Sequence, residues 1–420
     1  MPGRPMRAVL SLALAAGLLV AGVAPASARA GGGAPPETDG FDGEQIKLGV
    51  ITPLTGTVSI IGIPLTAGNQ LWWDYVNDEL GGVGNKFEVE LVEEDSAYEA
   101  PTAIQAYDKI KGDVVDFQQI LGTQVTKALL PKLQIDDAAG APATLDATWV
   151  KDPNLFPVGA PYQVEAINAL DYYTKNGGKG NKVCALAQDD EFGEAGLEGL
   201  ASAKKSLKLK TGPSPRFKSG EDLTAQVQEL ADAECDAVLV VATAVDATAI
   251  LTKSVALNFT PRIITLAPFW LPVFAQSDSL QQFLVDNVWV SAEQAIAWGD
   301  TSVPGMDTFL ERQQQYAPDQ DPDPYFVFGY LQGQAMYQIL ERAVKNGDLS
   351  REGILEASNQ VGTLKFDGLT GDYKYGKSAA DRNPPRTTAL FQVDPAQPVG
   401  LSLLSAEASK AAKQYKVPSD

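Results

Sequence analysis

The chain has 420 residues, more than one compact core usually holds, so two domains are expected. Hydrophobic residues make up 45% and charged residues 20%, values typical of a folded soluble protein rather than a disordered one. The net charge of −20 at pH 7 disfavours nucleic-acid binding. The chain has no histidine, which excludes a Ser-His-Asp triad, a Cys-His pair and histidine-ligated zinc.

The N-terminus has the features of a secretory signal peptide. Arg4 and Arg7 precede an apolar run over residues 8–24, and small residues follow it. This order predicts cleavage near Ala28 or Ala30. A membrane anchor is the alternative, although the run is at the short end for a span.

Export has consequences for the rest of the chain. No cysteine precedes Cys184, so an anchor through a lipid-modified cysteine is not expected. We expect a periplasmic or extracellular protein whose glycine-rich residues 31–44 form a flexible leader.

The first half of the chain alternates strands and helices. The strands are rich in β-branched and aliphatic residues, and the helices begin at prolines or end at glycines. Predicted strands cover residues 46–54, 86–95, 116–122 and 141–147, and predicted helices cover residues 64–82, 101–113 and 126–137, the last interrupted by Pro131.

The same alternation restarts after residue 163. Predicted strands cover residues 182–190, 235–243, 262–268 and 286–293, and predicted helices cover residues 164–178, 193–207, 223–233 and 246–259. A long helix (323–347), a hairpin (364–376) and a strand (387–394) follow, and the last residues, from 410 on, are expected to fray. Short loops between alternating elements predict an α/β fold of two lobes, each a parallel sheet flanked by helices.

Threonines follow several predicted strands. Ligands of parallel α/β sheets bind beyond the C-terminal ends of strands. Thr123 and Thr126, Thr148, and Thr243 stand at such ends beside helix starts. Hydroxyls and free N–H groups there suit a carboxylate or another small anion. Taken singly, each threonine is more often a helix cap, so the anion-site interpretation requires that they converge.

Apolar residues also stand at element junctions. Ile60 and Ile61 precede Gly62, where a tight turn is predicted to point them outward; packing on the following helix is the alternative. Phe192 follows the acids of residues 189–191, which suit a helix N-terminus better than a calcium site. Phe269 and Trp270 lie between two prolines after the predicted strand 262–268. They are predicted to contact a ligand, and packing on the surface of the lobe is the alternative.

Enzyme signatures are missing from the sequence. It contains no GxxxxGK[ST] phosphate loop and no GxSxG nucleophile elbow. The sequence therefore gives little evidence for an enzyme, a cofactor or a metal site, and a secreted hydrolase is the weaker alternative.

Five motifs in order carry a family resemblance: "IKLGVITPLTG", "NDELGGVGNKFEVELVEEDS", "LGTQVTKALLPKLQ", "DDEFGEAG" and "FDGLTGDYKY". From about Ile46 to about Asp394 the sequence resembles type I periplasmic solute-binding proteins of ABC importers, in the branched-chain amino acid-binding (Leu/Ile/Val-binding) group. The resemblance implies two lobes that close on a ligand about three crossing segments, near residues 155–163, 291–298 and 386–393. The implied regions are a signal peptide (1–30), a leader (31–44), lobe 1 (45–158 plus 294–388), lobe 2 (159–293 plus 389–408) and a tail (409–420).

The resemblance also implies ligand-binding residues. Its carboxylate-binding loops match "GTQVT" and "LDAT", and its other contacts match residues in both lobes. The implied set is Ile60, Ile61, Thr123, Gln124, Thr126, Asp146, Ala147, Thr148, Phe192, Thr243, Phe269, Trp270 and Phe328.

The chain departs from this group at one place. Where amino-acid-binding members often carry an acid for the ligand's ammonium, Phe269 or Trp270 stands here. The expected ligand is therefore a small hydrophobic amino acid or an apolar or aromatic carboxylate that lacks the ammonium.

The usual strand order of the family would also place the strands of Cys184 and Cys235 side by side, which allows a disulfide; two free thiols are the alternative.

The expected partners are the small-molecule ligand and the membrane permease of an ABC importer, with the protein a monomer. A ligand sensor of the same fold that feeds a signalling partner is the alternative function.

The sequence predicts that Trp270→Ala weakens the binding of apolar carboxylates, because an aromatic face at the cleft would be lost. Melting temperatures measured with apolar carboxylates and with sugars check this, since a ligand bound only by the folded state raises the melting temperature. Stabilisation by sugars and not by carboxylates would contradict the assignment to this group.

Overall fold

A computed structural model describes residues 35–176, 178, 180–293 and 297–417. The predicted signal peptide and most of the leader lie outside these residues. Within them, no helix is both long and apolar enough to cross a membrane.

The first sheet has four parallel strands in the order β2-β1-β3-β4. Aliphatic residues of β1 and β3 are buried on both faces because helices cover the sheet on each side. The elements are β1 (Gln45–Thr52), α1 (Ser59–Glu79), β2 (Glu88–Asp95), α2 (Ala100–Ile110), β3 (Asp116–Leu121), α3 (Thr123–Ile135) and β4 (Gly140–Ala143).

The second sheet begins after a 3₁₀ turn at Ala147–Lys151. Its strands β5, β8, β9 and β10 are parallel, and β6 and β7 pair with β5. The elements are α4 (Tyr162–Lys175), β5 (Lys182–Gln188), α5 (Glu191–Leu207), β6 (Lys210–Thr211), β7 (Arg216–Phe217), α6 (Thr224–Asp232), β8 (Ala237–Val241), α7 (Ala244–Ala256), β9 (Arg262–Thr265), α8 (Gln281–Asn287) and β10 (Val288–Ala292).

The last third of the chain packs helices beside the first sheet, adds β13 and β14 to the second and forms a separate pair of strands, β11 and β12. The elements are α9 (Pro304–Tyr316), α10 (Pro324–Asn346), α11 (Arg351–Gln360), β11 (Thr363–Leu364), β12 (Tyr373–Lys374), β13 (Thr388–Val393), β14 (Leu401–Glu407) and α12 (Lys410–Gln414). Helix α10 packs on α1 at glycines: a Cβ on Gly68 would lie 1.9 Å from the carbonyl oxygen of Phe326, and one on Gly329 would lie 1.9 Å from that of Leu65. The chain thus returns to the first sheet before β13 joins the second.

The edge of the second sheet differs from the predicted parallel arrangement. Strand β13 runs antiparallel to both β10 and β14. Residues 394–400 connect β13 to β14, and two strands joined by so short a connection must pair antiparallel, because a parallel crossover needs about a dozen residues or more. The sequence analysis did not predict β14.

Two predicted helix boundaries at prolines are wrong. Helix α1 begins at Ser59 and contains Pro64, and α3 begins at Thr123 and continues through Pro131. Proline in a helix interior costs about 3 kcal/mol. Burial of the flanking Leu129 and Leu133 offsets that cost in α3.

The expected fraying of the C-terminus is also wrong for the residues that the structure describes. Ser409 caps α12 by accepting a hydrogen bond from the Ala412 amide at 3.0 Å. The Ser409 amide donates to Asn168 Oδ1 at 2.8 Å, which ties the segment to α4. Ala411 and Ala412 are buried there.

Cys184 and Cys235 form a disulfide in this structure. Cys184 lies in β5 and Cys235 just before β8, and these two strands are neighbours in the sheet. The bond lies near the N-terminal ends of these strands, whereas the threonine-bearing ends lie opposite.

Reducing this disulfide should lower the free energy of unfolding by about 4 kcal/mol, because the bond closes a loop with a sequence separation of 51. Urea unfolding of oxidised protein, compared with protein unfolded and refolded in thiol, measures the difference. Equal midpoints would contradict a stabilising disulfide.

Candidate functional site

A cavity lies where the C-terminal ends of strands from both sheets meet. Its volume open to the centres of water molecules is about 100 Å³. At roughly 10–15 Å³ for each water, this space holds on the order of seven to ten water-sized groups. The cavity therefore matches a small molecule rather than a peptide or a polymer.

Several predicted ligand-binding residues line the cavity, and they come from both halves of the chain. They are Ile61, Thr123, Phe192, Thr243, Trp270 and Phe328. The threonines at the ends of β3 and β8 thus converge, as the anion-site interpretation requires.

The structure places Ile60, Gln124, Thr126 and Phe269 outside the cavity wall. Ile60 belongs to α1, and successive residues of a helix point in different directions. Its side chain therefore faces away from Ile61 and is 46% exposed. The Gln124 side chain donates to the Tyr98 carbonyl at 3.4 Å, and Thr126 Oγ1 donates to the Ile120 carbonyl at 3.4 Å. Phe269 is fully buried.

Asp146, Ala147 and Thr148 also lie outside the wall, where they hold the 3₁₀ turn before α4. Asp146 Oδ1 accepts hydrogen bonds from the amide and the hydroxyl of Thr148, both at 2.8 Å. The Ala147 amide donates to Gln163 Oε1 at 3.0 Å. Thr148 is therefore neither a wall residue nor the cap of this turn, because Asp146 is the cap.

Helix N-termini surround the cavity. Within the described residues, α1, α3, α4, α5, α7 and α10 each begin at a residue of the wall or next to one. Helix N-termini carry unpaired N–H groups and partial positive charge. None of the described wall residues is lysine or arginine, so these termini are the main source of positive potential there.

Two of these termini are capped by a side chain, and a third, that of α7, has Asp246 in its first turn. Asp190 accepts from the Gly193 amide at 2.9 Å and caps α5, and Asp323 accepts from the Tyr325 and Phe326 amides at 2.7 and 3.2 Å and caps α10. Helices α3 and α7 begin at Gly122 and Thr243 without a side-chain cap. Their amide groups can therefore bind an external anion.

Hydroxyl groups stand beside the two uncapped helices. The Oγ1 atoms of Thr123 and Thr144 are 2.6 Å apart, and Thr144 also hydrogen-bonds Tyr162. Thr243 Oγ1 is buried and has no hydrogen-bond partner in the described part of the chain. Its own amide donates to Gln188 Oε1 at 2.8 Å, so Gln188 holds the residue in place. A buried hydroxyl without a partner is costly unless a ligand satisfies it.

The segment with Phe269 and Trp270 forms 3₁₀ turns, at Ala267–Phe269 and Pro272–Gln276. Trp270 Nε1 donates to the Val399 carbonyl at 2.8 Å, and the Trp270 carbonyl accepts from the Tyr325 hydroxyl at 3.0 Å. The indole is buried, and it lines the cavity while these bonds fix its position.

Two buried acids lie beside the cavity. Glu293 lines it, and Glu165 Oε2 accepts a hydrogen bond from the Ala267 amide at 3.3 Å. Burial, and then the negative charge of Glu293, raise the pKa of Glu165 well above its usual range. Burial therefore favours the neutral form of Glu165.

Several wall residues have no strong sequence signal: Tyr98, Thr144, Tyr162, Glu293, Trp298 and Tyr325. Of these residues, Tyr98 is the easiest to predict from the sequence, because it follows the end of β2 closely. It adopts a positive φ of 62°, and a Cβ on Gly122 would lie 2.8 Å from its ring. The charges of Asp190 and Glu191 act on its hydroxyl, which places Tyr98 near the second sheet.

The described residues contain no group of three or more His, Cys, Asp or Glu side chains that could hold a metal ion. The chemistry available at the cavity is hydrogen bonding, helix N-terminal charge and apolar contact.

Comparisons with known proteins agree with this architecture. The family model described as "Periplasmic binding protein" matches residues 45–398. A fatty acid ABC transporter substrate-binding protein from Thermomonospora curvata is 24% identical, with a TM-score of 0.84 over 91% of this chain and 97% of that one. A branched-chain amino acid ABC transporter protein from Thermus thermophilus with bound valine is 16% identical, with a TM-score of 0.72 over 88% and 98%.

A leucine-binding protein from Thermotoga maritima is 18% identical, with a TM-score of 0.72 over 86% of this chain and 98% of that one. Curated protein sequences give no significant match. The family match and these structures confirm the predicted two-lobed α/β fold.

Replacing the Asp323 cap should change how stability depends on pH. Burial raises the pKa of Asp323 from 3.8 to about 6. The pKa of Asp323 is higher in the folded state than in the unfolded state. The contribution of Asp323 to the free energy of unfolding is therefore full below about pH 4 and is lost as pH rises to about 6. The loss is about 3 kcal/mol at most.

Asp323→Asn keeps a capping oxygen but cannot titrate. The difference in the free energy of unfolding between wild type and variant should therefore shift in favour of the variant between pH 4 and 7. Urea unfolding across that range measures it, and a difference independent of pH would contradict the raised pKa.

Proposed function

Because the chain belongs to the periplasmic binding protein family, we propose that it is the extracytoplasmic receptor of an ABC importer and closes on an apolar carboxylate. The family match also confirms that the chain is a binding protein rather than an enzyme, as predicted. One observation carries the proposed ligand class: α3 and α7 meet the cavity without a side-chain cap, and the rest of the wall is mostly apolar.

The two ends of such a ligand have different partners. The carboxylate accepts from the amides at the start of α3 and α7 and from the hydroxyls of Thr123 and Thr243. The apolar part lies against wall residues such as Ile61, Phe192 and Trp270. Closure buries the apolar walls of both lobes against the ligand, and this burial supplies the free energy for closure.

The lobe boundaries belong to this proposal. Lobe 1 is residues 45–158 plus 294–388, and lobe 2 is residues 159–293 plus 389–408. The pairing of α1 with α10 supports the return of the chain to lobe 1. The closed, monomeric receptor would present both lobes to the permease, and export would follow from the signal peptide.

A hydrophobic amino acid is the second candidate ligand, and Glu293 favours it. This acid lines the cavity and is a possible partner for an ammonium group. The structural neighbours include proteins named for fatty acids and for amino acids. Glu293→Gln would weaken leucine binding under this alternative and would leave octanoate binding intact under the main proposal.

Octanoate should raise the melting temperature more than leucine, valine or glucose does, because only the folded state has the site. Thr123→Val and Thr243→Val should each weaken octanoate binding about ten-fold, the effect of a lost hydrogen bond to a charged group. Calorimetric titration measures both effects.

Thr252→Val is the matched control, because Thr252 is an exposed residue of α7. Its octanoate affinity should equal that of the wild type. Stabilisation by leucine alone, or equal loss in all three variants, would contradict the proposed ligand.

A further inference from the structure

The cavity extends along the face of the second sheet as well as beyond its strand ends. Its wall includes Val290 of β10, Phe391 of β13 and Leu401 of β14. Val290 and Phe391 pair directly across the two strands, so their side chains share one face. We call this part of the cavity, lined by Val290, Phe391, Val399 and Leu401, the apolar arm.

The strand pairing gives the depth of the apolar arm. Ala292 lines the cavity at the end of β10 and pairs with Ala389 of β13. Leu401 also lines the cavity and pairs with Val393, four residues further along β13. At about 3.3 Å per residue, the arm reaches roughly 13 Å into lobe 2.

Prolines explain why this space is open. Helices α5 and α7 follow their strands directly, but the segment after β9 forms 3₁₀ turns that begin beside Pro268 and Pro272. Trp270 covers the arm instead of a helix, and its bond to the Val399 carbonyl holds it over the β13–β14 turn. A Cβ on Gly400 would lie 3.2 Å from Trp270 Cζ2, so this turn approaches the indole closely.

The arm is narrow and apolar. Even if the whole volume of about 100 Å³ were spread along roughly 13 Å, the mean cross-section open to atom centres would be only about 8 Å². Such a width admits a single file of methylene groups rather than a ring or a branched side chain. With C–C bonds near 1.5 Å, each methylene advances about 1.3 Å, so the arm holds on the order of ten carbons.

We propose that the apolar arm accommodates the tail of a straight-chain fatty acid of about eight carbons, the size that a cavity for roughly seven to ten water-sized groups admits, and that Leu401 sets the upper limit of chain length. This inference rests on the proposed function, which places the carboxylate at α3 and α7. It adds a linear tail of defined length and assigns chain-length selection to the C-terminal hairpin of β13 and β14.

Titration of the full chain with butanoate, hexanoate, octanoate, decanoate, dodecanoate and hexadecanoate tests the inference. Wild-type affinity should rise about four-fold per methylene up to the limit and then stop rising. Leu401→Trp shortens the arm and should weaken decanoate binding at least ten-fold with hexanoate unchanged. Leu401→Ala should move the chain length of highest affinity to longer acids, so the two variants shift this chain length in opposite directions.

Gln392→Trp is the matched control, because Gln392 lies on the neighbouring strand β13, is exposed on the face opposite to Phe391 and is not part of the wall. Its chain-length profile should equal that of the wild type. If acids bind but the Leu401 variants keep the wild-type optimum, the chain-length inference is wrong and the proposed function stands. If no acid binds the wild type, both are wrong.

Discussion

The site depends on the helix N-termini that meet at one apolar cavity. Each terminus brings N–H groups and partial positive charge into a region where water is scarce, so each needs a negative partner. Asp190 and Asp323 supply that partner for α5 and α10, and each stays close to the helix that it caps. Helices α3 and α7 have no side-chain cap, and Asp246 in the first turn of α7 bonds to Ser219 and Gly220. In the proposed complex, a ligand carboxylate binds these two termini and so joins elements from both sheets.

The shape of the cavity follows from a local constraint on one loop. Proline at residues 268 and 272 favours short 3₁₀ turns where a helix would otherwise follow β9. Trp270 then occupies the uncovered surface, fixed by the Val399 carbonyl and by Tyr325. The aromatic residues after a buried strand thus have two roles at once: Phe269 packs in the core, and Trp270 forms a wall of the cavity.

Sequence periodicity was enough to predict the α/β fold, because buried parallel strands and amphipathic helices leave different patterns. It also located Thr123 and Thr243, since a strand end followed by a helix start is a local signal. The remaining wall depends on tertiary contacts. Glu293 and Trp298 follow β10 outside the regular elements, and β14 is an edge strand of weak pattern. Asp146 and Thr148 have the residue types of a ligand site, yet Asp146 caps a turn by accepting from Thr148.

The most direct test of the account compares octanoate with octanol, which share a tail and differ in the head group. If uncapped helix N-termini bind a carboxylate, titration calorimetry will show octanoate binding at least ten-fold more tightly than octanol, the effect of hydrogen bonds to a charged group. Equal affinities would show that the apolar walls alone bind the ligand, and they would contradict the assignment of α3 and α7 as its anion site.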